Sequence, residues 1–386
     1  MIFCYIIAIM MLPRFYDNLS SYLKPNKVLF IFGSRQAGKT TLLKKFLSEN
    51  KDKFRYKLDS GDDINLHAVL GSSNSKKIIE YAKGYDLIAI DEAQKIKGIG
   101  QGLKIMVDQV PNLKVIVTGS SSFDLAGQIG EPLTGRKINL ALYPLSQIEM
   151  GNIYNDYELK SLLDDYLVYG AYPEVLTNEF INDKKRILEE LVGSYLLKDI
   201  LELEKVKSSK LLLDLLRLLA FQIGSEVSLS ELGKQLGIDG KTVARYLDLF
   251  EKSFVIINIR GFSRNLRKEI TKKSKYYFLD NGIRNAIIAN FNPLEIRDDI
   301  GKLWENFLVV ERIKKQSYHQ IYANNYFWRT WNQKEIDWVE ERDGKLFGYE
   351  FKWKGKPLKV AAAWSENYPD ASLEIIDKEN YLEFVT

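Results

Sequence analysis

Cysteine is nearly absent: Cys4 is the only one in 386 residues. Disulfides within the chain and multi-cysteine zinc or iron–sulfur sites are thereby excluded, and a reducing, cytoplasmic setting is expected. Histidine is almost as scarce, with only His67 and His319. His-rich metal sites and most imidazole acid–base chemistry fall away, so any catalytic metal must be held by carboxylates, which favours Mg2+ or Mn2+. No charge of one sign dominates, since Lys+Arg 55 against Asp+Glu 51 leaves a net +4. Only local clustering can therefore point to a nucleic-acid partner. A long hydrophobic run is also lacking. The apolar start MIFCYIIAIMML is twelve residues, too short to span a bilayer, and it has no basic leader. No stable membrane insertion is expected. That start reads either as a membrane-associating stub or as an upstream start codon before a true beginning at Met11. The second is preferred because MLPRFY leads directly into an ordinary helix.

The length implies two to four domains. Short apolar strands at 28–32, 55–58, 86–90, 114–118 and 138–142 alternate with amphipathic helices, which specifies an α/β fold with a parallel sheet over 13–150. A helical lid or linker follows over 151–205, broken at 170–173. In 206–292, a short helix opened by Ser228 or Ser230, a turn at Gly237, a second helix over 241–253 and a strand over 254–259 read as a winged helix-turn-helix. The final α/β unit, 293–386, has a helix over 301–315 and strands at 318–323, 334–341, 346–353 and 373–376. A helix near 358–366 precedes the last strand.

GSRQAGKT, Gly33 to Thr40, fits the G-x-x-x-x-G-K-[ST] phosphate loop between a strand and a helix. Its glycines let backbone N–H groups face phosphates, and the helix N-terminus adds a positive dipole end. Gly33, Ser34, Arg35, Gln36, Ala37, Gly38, Lys39, Thr40 and Thr41 form the expected ATP cradle. Lys39 neutralises phosphate charge and Thr40 ligates Mg2+. YDLIAIDEAQ then delivers two acids from an apolar strand: Asp91 for the Mg2+ shell and Glu92 to polarise water. The next strand, VIVTGSSS, brings Thr118 or Ser120 to orient the water or the γ-phosphate. Arg136, before the fifth strand, reads either as an arginine finger reaching a neighbouring subunit in a homo-oligomer or as a surface arginine.

GSRQAGKTTLL, LIAIDEAQ, VTGSSS and LTGRKINLALYPLS together resemble the AAA+ superfamily ATPases of archaea and bacteria. LVYGAYPEVL, SYLLKDIL, the helix-turn-helix, GKLWENFLVVE and EIDWV…YEFK resemble their C-terminal region in the same order. The resemblance implies ATP binding and hydrolysis, and a tail similar to the PD-(D/E)xK, restriction-endonuclease-like fold.

The residues of that tail carry an argument of their own. Asp343-Gly344 is a two-residue hairpin signal. Centring the turn there sets Asp337 opposite Glu350 and Glu335 opposite Lys352 on one face. Ile336, Trp338, Phe347, Tyr349 and Phe351 then fall on the other, as a core. Opposed like charges destabilise a sheet. A second Mg2+ or Mn2+ between Asp337 and Glu350 reverses that sign, with Lys352 activating water and Glu305 a further candidate ligand. The competing reading is a simple Glu335–Lys352 ion pair with Asp337 and Glu350 solvated at an edge.

Between Arg260 and Lys275, the residues Arg260, Arg264, Arg267, Lys268, Lys272, Lys273 and Lys275 face a single acid, Glu269. Beside Lys241 and Arg245 of the second helix this reads as a phosphate-backbone surface for DNA, weakly sequence-selective and salt-sensitive. A protein-docking role with solvating lysines is the alternative.

Overall fold

The computed structural model describes residues 12–120, 133–196, 208–262, 274–330, 334–354 and 361–386. Strands β1 (Val28–Phe32), β2 (Tyr56–Ser60), β3 (Leu87–Asp91), β4 (Lys114–Gly119) and β5 (Lys137–Ala141) form one parallel sheet in the order β2-β3-β4-β1-β5. The central strands are apolar at successive positions because both faces are covered. Phe30, Ile88, Ile90, Val115 and Val117 join one core, while Leu29, Ile31, Leu87, Ala89 and Ile116 join the other. With β4 between β1 and β3, the carboxyl ends of these three strands open on one crevice, where ligands of open parallel sheets bind.

The expected helical stretch after this domain is a series of short helices from Asp156–Ser161 to Ile181–Glu190. Gly170 (φ 75°) interrupts them because a Cβ there would lie 2.0 Å from Oδ1 of Asp280. The next helix pair is Leu229–Leu236, capped by Ser228, and Gly240–Lys252, capped by Asp239, with left-handed Gly237 (φ 68°) between them. Its strands do not form a separate sheet. β6 (Glu226–Val227), β7 (Ile256–Gly261) and β8 (Ser274–Phe278) run on into β9 (Asn324–Arg329), β10 (Glu335–Arg342), β11 (Lys345–Phe351) and β12 (Ser372–Ile376). The seven-stranded order is β12-β11-β10-β9-β7-β8-β6. The junction is a parallel pairing of Arg260 with Tyr326 and Gly261 with Phe327, extended by Phe262 N–H donating to the Phe327 carbonyl at 2.7 Å. The cations Arg264, Arg267, Lys268, Lys272 and Lys273 lie outside the described residues.

The β10–β11 register pairs Trp338 with Tyr349 and Arg342 with Lys345, as a turn centred on Asp343-Gly344 requires. Both turn residues are left-handed, φ 51° and 73°, the geometry that twists a two-residue hairpin correctly. The strand expected over 318–323 is not there. The helix Ile300–Tyr318 ends where it was expected to start, residues 319–323 are turn and coil, and β9 begins at Asn324. Tyr318 is buried and stacks on Phe15 at 4.7 Å, and Gln316 exchanges amide hydrogen bonds with Asn325. Tertiary packing overrides the local β propensity of that stretch. Among the described residues no helix is long and apolar enough to cross a membrane.

Glu340, fully buried on β10, takes Arg312 Nε and Nη2 at 2.5 and 2.9 Å, Gln316 Nε2 at 2.9 Å and Trp338 Nε1 at 2.9 Å. Arg342 Nε adds a further contact at 3.1 Å, so Arg312→Leu leaves that carboxylate with one partly exposed counter-charge, and stability is expected to fall by about 3 kcal/mol, read from thermal and urea unfolding. The double substitution with Glu340→Leu removes the under-compensated charge and recovers much of the loss. A double mutant no more stable than Arg312→Leu would contradict the assignment.

Candidate nucleotide site and C-terminal acidic centre

The loop after β1 turns through three residues of positive φ: Gly33 at 153°, Gln36 at 58° and Gly38 at 96°. Turns of this kind can aim neighbouring backbone N–H groups toward a common anion site. Gly33 admits no side chain, because a Cβ would lie 1.9 Å from the Leu142 carbonyl oxygen. Lys39 is buried, and its Nζ donates to the Gly33 and Ser34 carbonyls at 2.9 and 2.8 Å, so the ammonium lies across the loop. Ser34 Oγ is buried without a hydrogen-bond partner. Thr41 is exposed on the first turn of the helix Lys39–Glu49, whereas Thr40 Oγ1 donates to Asp91 Oδ2 at 2.8 Å. Hydroxyl and carboxylate are hard oxygen donors that suit Mg2+ beside a phosphate loop, so the residues present fit that ion.

The acids at the end of β3 are held by Thr118, expected at the water or the γ-phosphate, and by Gln94, to which the sequence pattern assigned no role. Thr118 Oγ1 donates to Asp91 Oδ1 and accepts the Glu92 N–H at 3.2 Å. Glu92 is itself left-handed, φ 52°, a conformation that costs a non-glycine residue about 1 kcal/mol or more. Gln94 Nε2 donates to Glu92 Oε2 at 2.6 Å and to Ser120 Oγ at 3.0 Å. Ser120 thus touches the amide that holds Glu92. Behind the loop, Arg14 donates through Nη1 to the Ala37 carbonyl at 2.8 Å, through Nη2 to Tyr143 at 2.6 Å and through Nε to buried Glu149 at 2.9 Å. Pinning the Ala37 carbonyl outward fixes the opposite side of that peptide, the Gly38 N–H, toward the anion site.

Arg136 is not brought to this crevice. Its carbonyl accepts the Val28 N–H at the start of β1, the opposite end of the sheet, and its Nε donates to Asp108 Oδ1 at 2.6 Å.

The C-terminal acids meet on the second sheet. The β9–β10 register slips between Ile336 and Val339, a bulge that re-aims Asp337. Asp337 Oδ2 accepts the Phe351 N–H at 2.8 Å, and Lys352 Nζ donates to Glu350 Oε1. The expected Glu335–Lys352 pair does not form: Glu335 engages Lys275, with Arg329 Nε 3.9 Å away. Lys275, expected to face solvent as part of a basic wing, is only 2% exposed and also reaches Glu305 Oε1 at 3.2 Å. Tyr277 OH donates to the same oxygen at 2.7 Å. Among the described residues no group of three or more His, Cys, Asp or Glu side chains is placed to hold a metal ion. The expectation of a metal on Glu305, Asp337 and Glu350 is therefore corrected: an ammonium lies among these acids instead.

Burial, then the charge of Glu305, pushes Asp337 up to about 7, and burial with Asp337 beside it pushes Glu350 up to about 7. Burial opposes the charge on Lys275, but Glu305, Asp337 and Glu335 outweigh it and hold the ammonium above the ordinary lysine range.

Residues 25–151 match the profile of an AAA domain. The first domain is similar to an AAA domain. Residues 160–294 and 300–376 match two domains of unknown function, DUF8612 and DUF4143. Uncharacterized protein Rv2008c of Mycobacterium tuberculosis is 26% identical over 340 residues, 86% of this chain and 71% of that one. Uncharacterized protein MJ1544 of Methanocaldococcus jannaschii is 24% identical over 333 residues, 82% and 72%. Among solved structures, AMPPCP-bound DnaA from Aquifex aeolicus overlays with a TM-score of 0.30 at 18% identity, covering 61% of this chain and 84% of that chain. So loose an overlay carries no argument, and the assignment rests on the sequence match.

The sequence patterns left Arg14 and Gln94 unassigned and placed Lys275 in a basic wing rather than among acids. Gln94 stands in the quoted DEAQ and had a signal in its spacing from Glu92. Arg14 and Lys275 had none, because each acts on residues far away in the chain. The raised carboxyls give a sign to the pH dependence. A carboxyl lifted in the folded state stabilises below its unfolded pKa and loses that contribution as pH rises through about 7. Asp337→Asn, which keeps an acceptor for the Phe351 N–H, should match wild type at pH 5 and exceed it at pH 8. Part of Asp337 reaches solvent, so the gain is on the order of 1–2 kcal/mol. Thermal midpoints across pH 5–8 measure it, and a variant less stable at pH 8 would overturn the electrostatic reading.

Proposed function

We propose that the AAA+ domain binds ATP with Mg2+, hydrolyses it, and is coupled to DNA held by the winged helix-turn-helix. What carries the first part is the convergence of the β1 anion nest, the Thr40–Asp91 pair and Glu92 on one crevice. The Ser34, Gln36, Ala37 and Gly38 region of the loop and Arg35 beside it wrap the phosphates. Lys39 exchanges the Gly33 and Ser34 carbonyls for phosphate oxygens. Mg2+, held by Thr40 and Asp91, supplies charge neutralisation. Glu92 orients and deprotonates the attacking water once Gln94 releases it toward Ser120. Arg14 keeps the nest preorganised by fixing Ala37. Arg136, at the far end of the sheet, acts only on the phosphates of a neighbouring subunit. With labelled ATP, Glu92→Gln should retain binding while turnover falls by about 100-fold or more. Lys39→Ala should lose binding. Turnover at the wild-type rate in Glu92→Gln would remove Glu92 from its role.

The DNA part rests on Lys241, Arg245 and Arg260, exposed on the second helix and at the end of β7. Arg260 opens the basic stretch of the sequence, whose remaining cations fall outside the described residues. Lys275 does not contribute. Charge reversal at Lys241 and Arg245 together should weaken retention of duplex DNA and lower the slope of log K against log salt by about 2. Unchanged DNA affinity would favour the rival reading, an ATP-gated switch that docks a protein.

A further inference from the structure

We infer that Gly61 and His67 are positioning residues for Glu92: together they clamp the main chain of the water-polarising acid in its strained turn. The inference rests on the role proposed for Glu92 and adds to it what aims that side chain. A left-handed glutamate persists only where its neighbours leave it no relaxed alternative. On one flank the restraint is Thr118, which takes the Glu92 N–H. The other flank is the loop between β2 and the helix Ile64–Leu70. β2 runs beside β3 with Ser60 level with Asp91, so Gly61 comes directly alongside Glu92. The Gly61 N–H donates to the Asp91 carbonyl at 2.7 Å. A Cβ on Gly61 would lie 2.2 Å from the Glu92 carbonyl oxygen, which also accepts the Lys95 N–H at 3.1 Å. Gly61 is not among the residues of positive φ. The demand for glycine therefore comes from the approach of Glu92 and not from a left-handed turn.

His67 fixes Gly61 in turn. Asp63 caps the helix Ile64–Leu70 by accepting the Asn65 N–H. The helix thus starts immediately after the loop and brings His67, one turn in, back over it. Its Nε2 lies 2.7 Å from the Gly61 carbonyl oxygen. A carbonyl only accepts, so Nε2 carries the hydrogen, as it does in the charged imidazole and in one neutral tautomer. A second tie across the loop joins Lys95 Nζ to Asp62 Oδ1 at 2.5 Å, but the Asp62 side chain is 64% exposed. A pair so open to water contributes at most about 1 kcal/mol. The clamp is therefore the Gly61 backbone and His67. Its chemical weight is large, because misplacing a reacting group by about 1 Å costs on the order of 100-fold in rate.

Steady-state ATP turnover and binding of labelled ATP by the full chain test the clamp. His67→Phe removes the donor, and Gly61→Ala pushes the Glu92 carbonyl away. Each should lower kcat by roughly 10- to 100-fold, while the Kd for ATP stays within about twofold of wild type. His67→Gln presents an amide N–H in place of Nε2 and should keep kcat within about threefold of wild type. The Nε2 hydrogen persists when the imidazole gains a proton. Between about pH 6 and 8, kcat should therefore carry no ionisation that His67→Gln removes; such an ionisation would make His67 an acid–base group and overturn the inference. An unchanged kcat in His67→Phe would do the same, as would a Kd weakened as much as kcat is lowered, which marks a general loss of structure. Should Gly61→Ala not fold, the two His67 variants decide alone. Wild-type turnover by Glu92→Gln refutes the parent reading instead, whereas loss of turnover there beside intact kcat in His67→Phe refutes only the clamp.

Discussion

The helix Ile300–Tyr318 is the constraint on which the rest of the molecule depends. A buried helix is ordinarily apolar all round, yet this one buries Asn306, Glu311, Arg312, Lys314 and Gln316. Their partners come from three parts of the chain. Asn306 bonds both backbone groups of Phe278 on β8, and Arg312 grips Glu340 on β10. Glu311 accepts the Gln147 N–H at 2.7 Å and Lys314 donates to the Leu145 carbonyl at 3.0 Å, both at the edge of the AAA+ domain. An unpaired buried polar group costs far more than the net gain of a formed hydrogen bond. The three regions are therefore fixed to one another through one rod, in one arrangement.

That rod also runs from one chemical centre to the other. Near its start Glu305 meets Lys275. At its end Tyr318 stacks on Phe15, beside Arg14, whose guanidinium reaches the phosphate loop. A second contact comes from the turn before β7. Phe254, held left-handed at φ 58°, packs against Phe32 at the end of β1 and against Tyr143. The strand that carries the anion nest is thus bounded by the helix-turn-helix on one side and by the long helix on the other.

Much of the site was legible in the sequence because its chemistry is local. GSRQAGKT places strand, nest and helix within a dozen residues, and LIAIDEAQ binds the acids to a strand whose apolar run can only be central. The β10–β11 register was legible for a similar reason: a two-residue turn and period-two alternation leave one pairing that buries Trp338 and Tyr349. The end of the long helix was not legible. The stretch from Tyr318 reads locally as strand, but Tyr318 closes the helix, stacked on Phe15 some three hundred residues earlier in the chain, and the strand starts only at Asn324. The partners of the acids were hidden likewise, since Glu335 sat opposite Lys352 in the hairpin but met Lys275 from across the sheet.

By itself, then, the sequence determined which residues could hold phosphate and in what order the elements come, because periodicity, turn residues and a short contiguous motif encode these within one segment. Tertiary structure alone decided that one sheet runs from the helix-turn-helix into the C-terminal unit, and that a buried lysine rather than a metal stands among the acids there. Strand pairing across β7 and β9 and the reach of Lys275 join residues roughly thirty to sixty-five apart. At that range no local pattern specifies a partner; competition among buried charges for the nearest opposite charge does.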